Sequence, residues 1–343
     1  MVIGIGVAGS PGILPAMSHD VAVVVPILNE ADSLPQLLAA LKAQTHRPKE
    51  LIFSDAGSTD GSAALIEEWW RKERWEGGAC RVLAVPGAMP GAGRNAGVRA
   101  ASCEWIAFID AGIEPESAWL ERLCDYAREH HSPAVFGMCR FSADAYFERA
   151  VCALSHGQGS SHAVIPASLF HRRVFDEIGF FPEHLRAAED LLWSKWLVTR
   201  YGARDICTDA IVQYTHFPSS WRRAVRKWEL AEQQSVLAGV RSRQQMLSLI
   251  GLSVVYGALF SGTVVGGGIF VLYVIARGVL DPIRRSRERV WWGRRPAALV
   301  VALGLAPALD VAKFAGVVHG LASRLFGRVG GGGSTPEKSR IGG

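Results

Sequence analysis

The sequence predicts an α/β protein: a mostly parallel sheet with helices on both faces, followed by C-terminal transmembrane helices. Three observations predict this. Short β-branched runs without polar alternation recur between helix-patterned stretches, as in a sheet buried on both faces. Long apolar runs fill the last third of the chain. Charge divides at the same place: residues 1–218 hold 19 Lys and Arg against 26 Asp and Glu, net −7, and residues 219–343 hold 18 against 6, net +12. A basic, apolar end suits anionic lipid rather than nucleic acid, and no aromatic-basic nucleic-acid module is present.

Each element follows in order. Residues 1–17 are apolar, broken by Gly and Pro, and lack a basic leader, so a flexible extension is expected rather than a signal peptide. Residues 18–218 read as the α/β domain. Val21–Pro26 is a strand, Ser33–Gln44 a helix, Glu50–Ser54 a strand and Ser62–Arg74 a helix. Arg81–Val85 and Trp105–Ile109 are further strands around a helix at Arg94–Ala101. Beyond them come a helix near Pro115–Glu129, a strand at Ala134–Cys139 and a helix at Asp190–Tyr201. In such sheets ligands bind beyond the carboxyl ends of the strands, here Pro26–Glu30, Asp55–Ser62 and Asp110–Glu114. The six cysteines show no metal-like spacing and read as buried reduced thiols of a cytosolic domain.

Residues 219–245 form a basic amphipathic helix. Trp221, Val225 and Trp228 share one side, and Arg222, Arg223, Arg226 and Lys227 fill the positions between. This suits a membrane interface, or a helix packed on the protein with a solvated basic face. Residues 246–326 hold the membrane segments. Met246–Leu280 carries one charge, Arg277. As one helix it would run about 52 Å, longer than a hydrocarbon core of about 30 Å, and the glycines from Gly262 to Gly268 offer a break. A hairpin over 246–280 is expected. The basic loop 281–296 has six arginines and two acids, which places it on the cytoplasmic side. The apolar segment 297–326 contains Pro307, with Asp310 and Lys313 spaced to pair on one helix face. Residues 327–343 read as a disordered tail.

The strand tips carry the chemistry. The first is PILNEADS, with Pro26, Asn29 and Glu30. The second is SDAGSTDGS, with Asp55, Ser58 and Asp60. PGAGRNAG follows, with Arg94 and Asn95 entering a helix, and FIDAG ends in Asp110. Alone, each reads as an ordinary turn; their co-occurrence in this order is specific. Together with FHRRVFDEIGFFPEHLRAAEDLLW and a later strand ending in His216, they resemble the family-2 glycosyltransferases, which have the fold called GT-A. The resemblance covers about 200 residues, 20–218.

The resemblance implies that Pro26, Asn29, Glu30, Asp55, Ser58, Arg94, Asn95 and Asp110 bind a nucleotide sugar, with a UDP-sugar favoured. It implies that Asp190, beside Glu189, is the catalytic base of an inverting transfer. Asp55 suits a base N–H and Arg94 a diphosphate; an Asp capping its own turn is as good a reading for Asp60 and a poorer one for Asp55. Relatives place further acids after the residue matching Asp110, where this chain has Ala111 and Gly112. The expected shell for Mg2+ or Mn2+ is therefore Asp110, His216 and Glu114. Processive relatives carry a Gln-x-x-Arg-Trp motif where this chain reads RAVRKW, which argues for transfer of single sugars. Arg223, Arg226 and Lys227 are then candidates for phosphate on a lipid or lipid-linked acceptor. The expectation is an inner-membrane enzyme with a cytoplasmic catalytic domain. The alternative is a catalytically silent nucleotide-sugar-binding scaffold at the membrane. A nucleotidyltransferase is disfavoured because the first strand lacks a following Gly-rich basic loop.

Overall fold

The computed structural model describes residues 20–73, 76–240 and 243–326. The expected extension at 1–17 and tail at 327–343 lie outside the described residues. In chain order the elements are β1 (Val21–Ile27), α1 (Leu34–Lys42), β2 (Glu50–Asp55), α2 (Ser62–Glu73), β3 (Ala79–Ala84), α3 (Pro90–Ala100), β4 (Trp105–Phe108), β5 (Ile113–Pro115), α4 (Trp119–His130), β6 (Ala134–Phe141), α5 (Tyr146–Ser155), β7 (Ser161–His171), α6 (Arg173–Ile178), α7 (Glu189–Tyr201), β8 (Asp205–Tyr214), α8 (Trp221–Leu237), α9 (Arg243–Phe260), α10 (Val264–Ile275), a π-helical turn (Ala276–Leu280), α11 (Asp281–Arg285) and α12 (Ala297–Phe326). They divide into two compact units. The first runs to Ser142 and includes Gly159–His184 and Trp193–His216; the second is Ala143–Gln158, Leu185–Leu192 and the chain from Phe217.

The first unit is one eight-stranded sheet in the order β3-β2-β1-β4-β7-β6-β8-β5. Four of its seven pairings are parallel, including all those among β1 to β4. The unbroken Val21–Val25 run is buried throughout because β1 has a strand on each side and helices over its faces. A helix lies close on that strand for a simple reason: a Cβ at Gly97 would come within 2.3 Å of Val24, so only glycine fits there. In the same buried cluster as Val24, an aromatic core joins Phe108, Phe170, Phe175, Phe181 and Trp193. The indole of Trp193 donates to the Gly179 carbonyl at 2.9 Å, which satisfies its one polar atom inside that core.

The second unit is helical. α8 packs along α12 through a Gly-x-x-x-Gly pair: a Cβ at Gly316 would meet the Glu229 carbonyl oxygen at 2.1 Å, and one at Gly320 would meet Val236 at 2.8 Å. Small residues let the two backbones approach closely. His319 and Glu229 lie 3.0 Å apart across the same seam. The basic side chains Arg222, Arg223, Arg226 and Lys227 remain exposed. The amphipathic helix thus has α12 as a partner along one face and exposed cations elsewhere.

α9 and α10 fold back on each other at Gly262, whose φ of +68° favours glycine, with Tyr256 against Phe270 at 5.6 Å between ring centroids. Among the described residues two helices are long and apolar enough to cross a membrane by length and composition, Val264–Arg285 and Ala297–Phe326, of 22 and 30 residues. The hairpin's first arm contributes a shorter apolar helix, Ile250–Phe260. Large side chains here face outward, with Phe260 82% and Val264 94% exposed, a contiguous apolar surface unusual for water. The ionisable groups inside are matched: Arg277 bonds Asp310 at 2.8 Å, Tyr273 donates to the same carboxylate at 2.9 Å, and Lys313 lies 3.6 Å from it.

Candidate active site

The tips of β1 and β2 interlock. Asn29 N donates to Ser58 Oγ at 2.9 Å, Thr59 N to Asn29 Oδ1 at 2.8 Å, Glu30 N to Ser62 Oγ at 2.9 Å, and Ala31 N to Asp60 Oδ2 at 2.9 Å. Asn29 adopts φ +56°, a left-handed conformation that asparagine tolerates better than most residues. Ser33 Oγ donates to Glu30 Oε2 at 2.6 Å and so orients that carboxylate. Pro26 lies under α3, where a Cβ at Gly93 would meet it at 3.4 Å.

Asp55 ends β2 and organises its own turn. Gly57 N, Ser58 N and Ser58 Oγ all donate to its Oδ1, at 3.1, 2.8 and 2.7 Å, and Oδ2 receives none of the three. Turn capping, which the sequence suggested for Asp60 more than Asp55, belongs to both. Asp60 also accepts from Ser62, and the bonds from Ser62 and Ala31 hold its carboxyl below the usual carboxylate range. Ser62 was missed as a site residue; its position after Asp-Gly, at the start of a helix, was the available signal.

Arg94 and Asn95 differ most from expectation. α3 begins at Pro90, so both lie within the helix rather than at its entrance. Arg94 is 4% exposed, and its Nη2 donates to Asp110 Oδ1 at 2.9 Å. The guanidinium is therefore a buried partner that holds Asp110, not a fork presented on the surface. Asn95 is fully buried and committed to the chain: its Nδ2 donates to Phe181 O and Glu183 Oε1, each at 2.9 Å, and its Oδ1 accepts from Phe181 N at 3.0 Å. It positions the 181–183 segment instead of facing a ligand. Glu183, kept below the ordinary carboxylate range by Asn95 and then by Arg99, had no local sequence signal.

The Asp110 turn has a second neighbour. His216, exposed at the end of β8, places Nδ1 3.2 Å from the Gly112 carbonyl. A carbonyl only accepts, so Nδ1 is the donor in this contact and Nε2 is the ring nitrogen left to face outward from the turn. Asp110 and His216 thus flank one turn. Glu114 does not swing freely: β5 pairs it with Gln213 of β8, between buried Ile113 and Pro115. Among the described residues no three His, Cys, Asp or Glu side chains gather as a preformed ligand set. Burial, and then the Asp110 charge, push the Cys139 thiol up to about 12; burial also raises half-buried Cys80 and buried Cys124, which disfavours their thiolates.

Glu189 and Asp190 belong to the second unit, at the first turn of α7. Leu191 N donates to Asp190 Oδ1 at 2.8 Å, within the first turn of α7, where a carboxylate also suits the helix dipole. Ala188, just before them, is held at φ +68° with its carbonyl accepting from Leu192 N at 3.0 Å. In α8, Arg223 N donates to Ser220 Oγ at 3.5 Å and Lys227 sits 5.5 Å over the Trp228 ring, with Arg226 exposed beside it.

Residues 22–180 match the family model described as Glycosyl transferase family 2. The chain is 26% identical over 189 residues to glycosyltransferase AglE of Haloferax volcanii, which covers 51% of this chain and 60% of that protein. It is 44% identical over 57 residues to undecaprenyl-phosphate 4-deoxy-4-formamido-L-arabinose transferase of Pseudomonas fluorescens, 16% of this chain and 17% of that one. The chain therefore spans less than two thirds of either relative. Among solved structures, the mannosyltransferase PcManGT of Pyrobaculum calidifontis, in complex with GDP-Man and Mn2+, superposes with a TM-score of 0.58 at 15% identity, over 88% of this chain and 86% of that one. The interlocked tips, Asp110 and strands β2 to β7 stand inside the matched segment, with β8 beyond it, and residues 22–180 belong to a family-2 glycosyltransferase domain of GT-A fold.

Proposed function

We propose that this protein is a membrane-anchored inverting glycosyltransferase that moves one sugar from a nucleotide sugar, favoured as a UDP-sugar, to a lipid or lipid-linked acceptor. The observation that carries the reading is the locked β1–β2 tip beside the Arg94–Asp110 pair, within the family-2 segment. Asp55 Oδ2, outside the turn's own bonds, is the acceptor for a base N–H. Asp110, aligned by Arg94, faces the donor. The acceptor hydroxyl attacks the anomeric carbon, Asp190 takes its proton, and the bond to the diphosphate breaks. The apolar helices, the basic second unit and a relative named for undecaprenyl phosphate support a lipid acceptor at the cytoplasmic face of the inner membrane. Arg223, Arg226 and Lys227 are the exposed cations for its phosphate.

The donor set fits a divalent ion. Magnesium is commonly held by one or two carboxylates together with substrate phosphates; Asp110 would supply the carboxylate, with His216 at the same turn as a further candidate ligand. Such an ion, when bound, offsets charge on the leaving diphosphate.

A silent scaffold is the second reading, favoured by Ala111 and Gly112 where acids would be expected. The test is nucleoside diphosphate release from purified protein in detergent, with each common nucleotide sugar and Mn2+. Release with one donor, lost in Asp190→Asn, supports the transferase. Nucleotide binding without release from any donor supports the scaffold.

A further inference from the structure

An open basic cavity of about 510 Å3 lies where the first long apolar helix ends and the loop after it begins, lined by Ile283, Arg284, Ser286, Arg287 and Arg289. Its charge is uncompensated. The loop's two acids are committed to other arginines: Asp281 to Arg277 and Arg285, Glu288 to Arg149. Among the described residues, Arg284, Arg287 and Arg289 have no acidic partner.

The cavity is held in shape from beneath. Buried Arg149 donates to the Trp291 carbonyl and to Glu288, and to the Ala143 carbonyl at 3.0 Å. Gln158 N donates to Ser286 Oγ at 2.9 Å, and Arg287 N returns a bond to Gln158 O at 3.0 Å. Gly157, at φ +95°, admits no side chain, since a Cβ would lie 2.5 Å from the Arg285 carbonyl oxygen. The pocket spans the last residues of the 22-residue helix Val264–Arg285 and the start of the loop after it, so a bilayer crossed by that helix would meet these guanidinium groups at its headgroups.

We propose that this cavity binds the phosphate of an anionic lipid headgroup. Planar guanidinium forks match phosphate oxygens, and the volume lies within the range of about 300–1,000 Å3 that small-molecule sites occupy. The proposal rests on the membrane-anchored reading above, but not on catalysis.

The test is native mass spectrometry of the full chain in neutral detergent, titrated with phosphatidylglycerol or phosphatidylcholine. The wild type retains phosphatidylglycerol in preference to phosphatidylcholine. The triple variant Arg284→Ala, Arg287→Ala, Arg289→Ala retains it about a hundredfold less well, at about fivefold per arginine near an anionic surface. A triple lysine variant recovers only part, since it restores charge without the fork. The three side chains are exposed, so the melting midpoint stays that of the wild type. Equal retention of both lipids, or equal retention by wild type and triple alanine variant, overturns the proposal. A parallel melting series with inorganic phosphate separates the sources: stabilisation by phosphate without lipid preference assigns the cavity to a soluble anion and overturns the lipid reading. Nucleoside diphosphate release plays no part in these readouts, so an inactive transferase leaves them intact. Recovery of the chain from cells without detergent removes the membrane anchor, and the lipid site with it.

Discussion

Arg94 and Asp110 form an ion pair of unequal partners: the guanidinium is 4% exposed, the carboxylate 39%. The costs of breaking it are unequal too. Asp110→Ala strips a buried cation of this partner and lowers stability by about 2 kcal/mol. Arg94→Met leaves a carboxylate that water still reaches and costs less. Donor-dependent diphosphate release falls in both. Thermal unfolding of the two variants in detergent, set beside that assay, checks the ordering.

Ser58 Oγ donates to Asp55 and accepts from Asn29 N, joining two strand tips with one hydroxyl. Ser58→Ala lowers stability by about 1 kcal/mol and raises the KM for the nucleotide sugar more than it lowers kcat. A change confined to kcat would count against a donor-positioning role for these tips.

Ala188 holds φ +68° immediately before Glu189. A left-handed conformation costs a non-glycine residue about 1–2 kcal/mol, while glycine frees the unfolded chain by about 0.4–1 kcal/mol. Ala188→Gly therefore gains about 0.5 kcal/mol net, seen as a raised melting midpoint.

His171 titrates against folding. Burial holds its imidazole below the ordinary histidine value of about 6.5, and Glu104, 3.9 Å away, only partly offsets this. The unfolded chain takes up a proton near 6.5 that the folded protein refuses. Stability is therefore full above that value and declines as pH falls from it toward the folded pKa. His171→Asn keeps an acceptor for Arg173 N, which now bonds Nδ1 at 3.2 Å, and flattens the pH dependence of the urea midpoint between pH 7.5 and 5.5 relative to wild type.

Gly316→Leu forces a side chain onto the Glu229 carbonyl and costs about 1–3 kcal/mol. Limited proteolysis reports the release of α8, with cleavage moving to its basic stretch.

The parallel half of the sheet was legible because Val21–Val25 and Trp105–Phe108 are apolar without alternation, which only a doubly covered strand needs. β5 was not: three residues ending in Pro115 carry no period, and only the pairing with Val212, Gln213 and Tyr214 of β8 defines them. The site was legible as a set of strand tips and not as a set of roles. Spacing brings Arg94 and Asn95 toward the tips, but burial decides that one holds Asp110 and the other Phe181, and burial comes from Phe181 and Glu183 far along the chain. The packing of α8 had a readable sign in Gly316-x-x-x-Gly320, yet its partner could not be named from sequence. A break somewhere in Gly262–Gly268 was legible because glycine clustering in an apolar run has few other causes, but which glycine turns the chain was not.

Arg149 is synthesised long before the groups that receive its hydrogen bonds, the carbonyl of Trp291 and the carboxylate of Glu288. A ribosome that has passed α5 has exposed a cation whose burial must wait until both apolar helix runs preceding Glu288 have emerged. Segment 143–158 is therefore seated late, and a nascent chain stalled ahead of Glu288 presents that arginine to chaperone or protease.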